Sequence, residues 1–232
     1  MTHMILHFHN LAEGREAEYD AYLRSIPELI GDSLVLGQRY TLSDVQFQAP
    51  TAASQPYSGL TLFEFEPAGG DTERLAEAIR GGPSRAGLFA SELSQRYDIK
   101  TNRMLSHRRP PADAPEHLMI VMANFIPEME KEWGQWYDSV HGVEILEIED
   151  LDAYSRGVLL KEQIDPAAEQ PNNGLILHHY RTHDFAGNVA EFQARGMGTS
   201  KSGVHWTGRS PAALFNRTTH GFDAVGPQLT SK

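Results

Sequence analysis

The apolar residues of this chain recur with two periods, and the two periods alternate. Residues 4–11 read as a strand, with Leu6 and Phe8 on one face and His7 and His9 on the other. Glu13–Ile30 switches to helical spacing and places Tyr19, Tyr22, Leu23, Ile26 and Ile30 on one side. Ser33–Phe47 is β-rich, a polar loop Gln48–Ser58 carries Pro50 and Pro56, and Gly59–Glu66 is a strand. Asp71–Arg80 predicts a short helix stopped by Gly81-Gly82-Pro83, and Tyr97–Leu105 a fourth strand.

After a proline-bearing stretch, His107–Pro115, the pattern starts again. Leu118–Phe125 is a strand, and Glu128–His141 a helix whose Met129, Trp133, Trp136, Tyr137 and Val140 share one face. Pro127 suits its first turn, and Gly142 is a natural stop. Leu151–Leu160 and Gly174–Thr182 follow as strands, separated by a polar loop, Lys161–Asn173. Asp184–Arg195 is a helix, and a Gly/Ser-rich segment, Gly196–Arg209, leads to a last strand near Asn216–Val225.

Both halves therefore read β-α-β-β-α-β, and their registers agree. Gly59-Leu-Thr-Leu-Phe-Glu-Phe matches Gly174-Leu-Ile-Leu-His-His-Tyr, as far apart as Met4-Ile5 is from Met119-Ile120. Tyr19 and Tyr22 match Trp133 and Trp136 with an offset one residue shorter. The expectation is an α+β chain of two tandem ferredoxin-like repeats, residues 1–108 and 118–232, joined by a linker at 109–117. Each four-stranded sheet would carry helices on one face only, so its other apolar face needs cover. The expected cover is the other repeat, sheet against sheet.

Composition narrows the function. A net charge of −11 argues against general nucleic-acid binding, which needs clustered Lys and Arg. The chain has no cysteine, which removes disulfides, thiolate catalysis and cysteine-ligated clusters. No apolar run approaches the length of a membrane span, and the N-terminal residues lack a signal-peptide pattern, so a cytoplasmic protein is the expectation.

The motif Trp136-Tyr137-Asp138-Ser139-Val140-His141, followed by Ala153-Tyr154-Ser155-Arg156, resembles a signature of the EthD-like members of the dimeric α+β barrel superfamily. Tyr154 and Arg156 stand in the reverse of the family's order. The resemblance implies a fused, two-repeat barrel with a pocket between sheet and helices. It also implies activities as different as isomerases, cyclases, cofactor-free monooxygenases, lyases and haem enzymes, among which fold alone does not choose.

His141 lies one helical step beyond Tyr137, so imidazole and phenol share an edge of the helix. Imidazole titrates near neutrality and can serve as general acid or base, though a histidine also suits a helix C-terminus. The family motif favours the catalytic role. His7 and His9 could be a metal pair, but no third ligand has suitable spacing, and a pocket acid/base role fits His7 better. His178 and His179 point to opposite sheet faces and replace Phe63 and Glu64 of the first half, while Pro27 stands where the second half has His141. These differences place the expected site in residues 118–232. Trp133 and Trp136 read mainly as core, with Trp136 the one able to reach a substrate. Tyr154 and Arg156 share one strand face, where Arg156 could hold an oxyanion or form a surface ion pair. His220 on the last strand is a weaker substrate contact.

The expected function is a cofactor-independent acid/base enzyme: an isomerase, lyase or cyclase acting on a small aromatic or ring-bearing molecule. His141, Tyr137, His179 and His7 are the candidate catalytic groups. Trp136, Tyr154, Arg156, His9, His178 and His220 are the candidate substrate contacts. No metal or cofactor is expected. The alternatives are a haem- or metal-dependent oxidoreductase of the same fold, or a non-catalytic ligand-binding barrel. The expected partners are a small-molecule substrate and, as a candidate assembly, a second copy of the chain, with neither nucleic acid nor membrane.

Overall fold

The alternating segments form eight strands: β1 (His3–Leu11), β2 (Leu34–Leu42), β3 (Gly59–Phe65), β4 (Phe89–Leu105), β5 (Glu116–Asn124), β6 (Leu151–Leu159), β7 (Gly174–Arg181) and β8 (Phe215–Leu229). The structure is a computed structural model that describes residues 2–30, 33–47, 55–66, 74, 76–79, 87–165, 167–207 and 215–230. The expectations for Pro50, the side chain of Ile30, the Gly81-Gly82-Pro83 stop and most of the helix at 71–80 lie outside these residues; 74 and 76–79 are helical.

Every strand pairs antiparallel with its neighbours, and the order β1-β3-β2-β8-β5-β7-β6-β4 closes on itself. Strands β1–β4 lie in the order β4-β1-β3-β2, and β5–β8 in the corresponding order β8-β5-β7-β6. The expectation of two separate sheets laid face to face is corrected here. The outer strands join at two seams, β2 to β8 and β4 to β6, making one barrel. Closure pairs the backbone N–H and C=O groups that four open edges would expose.

Inward residues of the strands fill the lumen, with Leu6, Leu62, Tyr97, Leu118, Leu177 and Phe222 in one cluster that includes no helix residue. Helices cover the outside. Over β1–β4 lies α1 (Glu16–Ile30), which buries Tyr19, Tyr22, Leu23 and Ile26 and contains Pro27. Over β5–β8 lies a helical rod in four pieces: a 3-10 turn (Pro127–Met129), α2 (Glu130–Trp136), a π-helical turn (Tyr137–His141) and α3 (Gly142–Ile145). Gly142, expected as a stop, has φ −64 and continues the helix. Its missing side chain makes room for Tyr154, whose ring lies 2.6 Å from where a Cβ would stand. Beside the rod, α4 (Phe185–Met197) is capped by Asp184, whose Oδ1 accepts from Gly187 N at 2.9 Å. Gly198 ends it in the left-handed region, φ 72.

Two strands are longer than predicted. β4 begins at Phe89 rather than Tyr97, and β8 runs to Leu229. Most of the linker, residues 107–109 and 111–113, is exposed, and Ala114 is buried just before β5.

Candidate active site

The π-helical turn decides the geometry around His141. In an α-helix, residues five apart point about 140° away from each other. The wider turn instead stacks Trp136 on His141, ring centroids 4.8 Å apart and planes 14° from parallel. Tyr137 meets the same imidazole edge-on at 5.3 Å, as the i, i+4 spacing predicts. Trp206, from the segment after α4, closes another side edge-on at 5.1 Å. Such turns are rare and often accompany function.

Glu144, on α3, stands three residues beyond His141. Its Oε2 lies 3.6 Å from His141 Nδ1, and neither atom has a hydrogen-bond partner among the described residues. The other oxygen, Oε1, accepts from Thr207 N at 2.7 Å, which ties the Trp206 segment to the helix. Arg195 on α4 is buried and donates to the carbonyls of Glu144 and Glu147 at 3.0 and 3.1 Å, fixing the end of the rod.

Beneath this layer, Tyr137 Oη pairs with His178 Nε2 at 3.0 Å. His178 is flanked on the sheet by Met119 and Tyr154, and it packs edge-on against Phe192 at 5.3 Å. Burial, then the positive Arg217, lowers the His141 pKa to about 4. Burial and then His141 lower that of His178 to about 3. Both imidazoles are therefore neutral near pH 7. Burial holds the Tyr137 phenol well above its usual range, so it remains a hydrogen-bond donor.

Tyr154 and Arg156 face the same side as predicted, but both are engaged with Asp138. Arg156 Nε and Nη2 reach the two Asp138 oxygens at 3.1 and 2.7 Å, and Tyr154 Oη donates to Asp138 at 3.3 Å. Thr101 on β4 donates to the same carboxylate at 2.9 Å, so this network crosses one barrel seam. It forms the wall of an open cleft of about 960 Å³ that Lys100, Gln135 and Ser139 also line.

The remaining candidates lie elsewhere. His179 and His220 point into the lumen; His179 Nε2 is 3.4 Å from Ser155 Oγ, and His220 pairs across the sheet with Ile120. His7 and His9 lie under α1, on the far side of the barrel from His141. His7 Nδ1 pairs with Ser94 Oγ at 2.8 Å, and His9 packs against Tyr19 at 4.7 Å. The structure thus gathers His141, Tyr137, Trp136 and His178, with Tyr154 adjacent. The sequence reading passed over Glu144 and Trp206. His-x-x-Glu is a legible i, i+3 pair, hidden by the expected stop at Gly142. Trp206 sits in a Gly/Ser-rich segment whose path has no periodic signal.

No family model and no curated protein matches the sequence. Solved structures match the shape. One is a candidate monooxygenase from Lactobacillus acidophilus NCFM, 9% identical, with TM-score 0.58, aligned over 99% of this chain and 96% of that one. Another is an anthrone oxidase-like protein, 8% identical, with TM-score 0.62, aligned over 99% and 93%. A third is a mutant chlorite dismutase from Candidatus Nitrospira defluvii in complex with cyanide, 9% identical, with TM-score 0.53, aligned over 97% and 91%. At such identities the likeness is one of fold. The chain has the architecture of a dimeric α+β barrel, closed here within one polypeptide.

Proposed function

We propose that the chain is built from two fused ferredoxin-like repeats and is a cofactor-independent enzyme that takes a proton from a small ring-bearing molecule at His141. The observation that carries this is the facing pair, His141 Nδ1 and Glu144 Oε2, two buried atoms without hydrogen-bond partners among the described residues. A carboxylate beside one ring nitrogen favours the tautomer that leaves the other nitrogen free as acceptor, and it stabilises the imidazolium once the proton arrives. Trp136 and Trp206 supply an aromatic surround that excludes water and suits a flat substrate. Tyr137, Tyr154 and His178 form the supporting layer below.

A specific observation favours a second form of this chemistry. Two of the matched folds are described as a candidate monooxygenase and an anthrone oxidase-like protein. Proton removal beside a ring carbonyl leaves an electron-rich carbanion that dioxygen can oxidise. In such an oxidation, two substrate hydrogens leave as water and dioxygen supplies the new carbonyl oxygen. His141 would perform the same first step in either case.

A haem fits the residues poorly. The layer between rod and sheet that a porphyrin would need is filled by Trp133, Tyr137, Tyr154 and Tyr180, each at most 2% exposed. Among the described residues no group of three or more His, Cys, Asp or Glu is placed to hold a metal ion.

The test is turnover of anthrone and related phenols and enols in air, with proton release followed separately without oxygen. His141→Ala should lower the rate by roughly 10²–10⁴, the usual worth of a positioned acid or base. The thermal midpoint should change by only a few degrees, and Glu144→Gln should lower the rate by a smaller factor. Unchanged turnover in His141→Ala would remove the proposal and shift attention to His7 under α1.

A further inference from the structure

A second cavity, of about 740 Å³, lies between α4 and the loop that joins α3 to β6. Five carboxylates line it, those of Glu147, Glu149, Asp150, Asp184 and Glu191, against the two guanidinium groups of Arg108 and Arg195. The Arg195 charge is spent, since its Nε donates to Glu191 Oε1 at 2.7 Å and its Nη atoms bond the carbonyls at the end of the rod. Arg108 reaches Glu147 only at 3.5 Å, and both side chains are about half exposed, so that pair is weak. Glu149, Asp150 and Asp184 have no ion pair among the described residues. The N-terminus of α4 offsets part of the Asp184 charge, and the cavity keeps a negative excess.

An independent feature points to a guest. Asn188 lines the same cavity and is 8% exposed. Its Nδ2 donates to the Glu149 carbonyl at 2.6 Å, which fixes the amide with the oxygen as its remaining acceptor. That oxygen, Oδ1, is buried and has no hydrogen-bond partner among the described residues. Buried polar atoms in native proteins are nearly always satisfied, by protein, water or ligand. The unmet requirement is for a donor, and the surrounding charge asks for a positive one.

The layout decides what kind of cation. Asp184, Asn188 and Glu191 recur at steps of four and three, so they share one face of α4 over about 10 Å of its axis. Among the described residues no three carboxylates converge on one point as a metal ion requires. Charges spread along a cleft match a chain of ammonium groups, and Val204 adds an apolar surface for the methylenes between them. We infer that this cavity binds an extended aliphatic polyamine, its ammonium groups shared among Glu149, Asp150, Asp184 and the Asn188 carbonyl oxygen. The site stands or falls independently of the reaction proposed at His141.

Spermidine is the probe, titrated into the full-length protein by calorimetry. The expected result is saturable binding at one site that weakens with salt. Asp150→Asn and Asp184→Asn should each weaken it by roughly fivefold, the worth of one contact ion pair in water. Both variants keep the fold: asparagine tolerates the left-handed backbone of residue 150, φ 60, and caps a helix as well as aspartate does. Asn188→Ala should also weaken binding, and Arg108→Ala should tighten it by removing a competing cation. Glu13→Gln/Glu16→Gln, beside α1 and on the far side of the barrel, should change nothing. An equal loss in that control would show general attraction to a chain of net charge −11 and overturn the inference. Absence of saturable heat would do the same, as would displacement of spermidine by magnesium at equal concentration.

Discussion

A histidine held neutral by its surroundings makes a definite statement about pH. Protonated His141 has no free acceptor, so the base activity proposed for it should be lost as pH falls through its pKa of about 4, not through the ordinary value of 6.5. kcat/KM should therefore be level from pH 8 down to about pH 5 on the His141 limb, and a measured rate profile checks it. A half-loss near pH 6.5 would show a solvated imidazole and remove the burial on which the site depends. At this scale the sequence was partly informative. The Tyr137–His141 edge follows from helical spacing alone, whereas the Trp136 stack does not, since it needs one extra residue in the turn.

The helical rod owes its course over the sheet to Gly142. Alanine at a helical φ is normally favoured over glycine by about 1 kcal/mol. Here the added Cβ would stand 2.6 Å from the Tyr154 ring, which is buried and bonded to Asp138 rather than free to swing away. Overpacking of this kind costs about 1–3 kcal/mol, so the clash should win. Gly142→Ala is expected to lower the unfolding midpoint, and a rise would mean that Tyr154 relaxes without cost. Elements with a periodic apolar face or an unbroken apolar run were legible from the sequence, as α1 illustrates for the first and β3 and β7 for the second. The first half of β4 was not, because Phe89–Arg96 carries polar residues on both faces: Ser94 meets His7 outside, and Gln95 enters the lumen. The seams were illegible for a different reason. Edge pairing uses backbone groups that every sequence possesses.

Across the whole molecule, buried histidines set the acid limit of stability. His9, His141 and His178 have folded pKa values of about 3, 4 and 3, each below the unfolded 6.5. Between those values the unfolded chain binds more protons, so stability falls as pH drops from about 6.5 toward 4. Each neutral histidine contributes about 1.4 kcal/mol per pH unit, and the three together roughly 4. Unfolding midpoints across pH 4–8 should show this slope, and a level profile would contradict the burial of all three. The linker makes a separate prediction. Residues 107–109 and 111–113 are exposed, while both flanking strands are locked in the barrel, so limited proteolysis should cut there first and leave the barrel closed. Separation of the two fragments without denaturant would show that the seams β2–β8 and β4–β6 hold less than their pairing suggests.

That short exposed linker also changes which sequences the barrel can adopt. It acts as a tether, keeping one set of four strands at an effective concentration in the millimolar range around the other. Assembly is then a first-order event, independent of how dilute the protein is. A homodimer closed about a twofold axis must present every residue twice, so each change at one seam is repeated at the other. A tethered barrel is free of that repetition. Pro27 can occupy the interior of α1 while His141 takes the matching place in the second rod, and Glu64 can sit in the lumen opposite a half that has His179 there. The freedom of the two sets of strands to carry different residues is thus a direct product of the ten residues of connecting chain between β4 and β5.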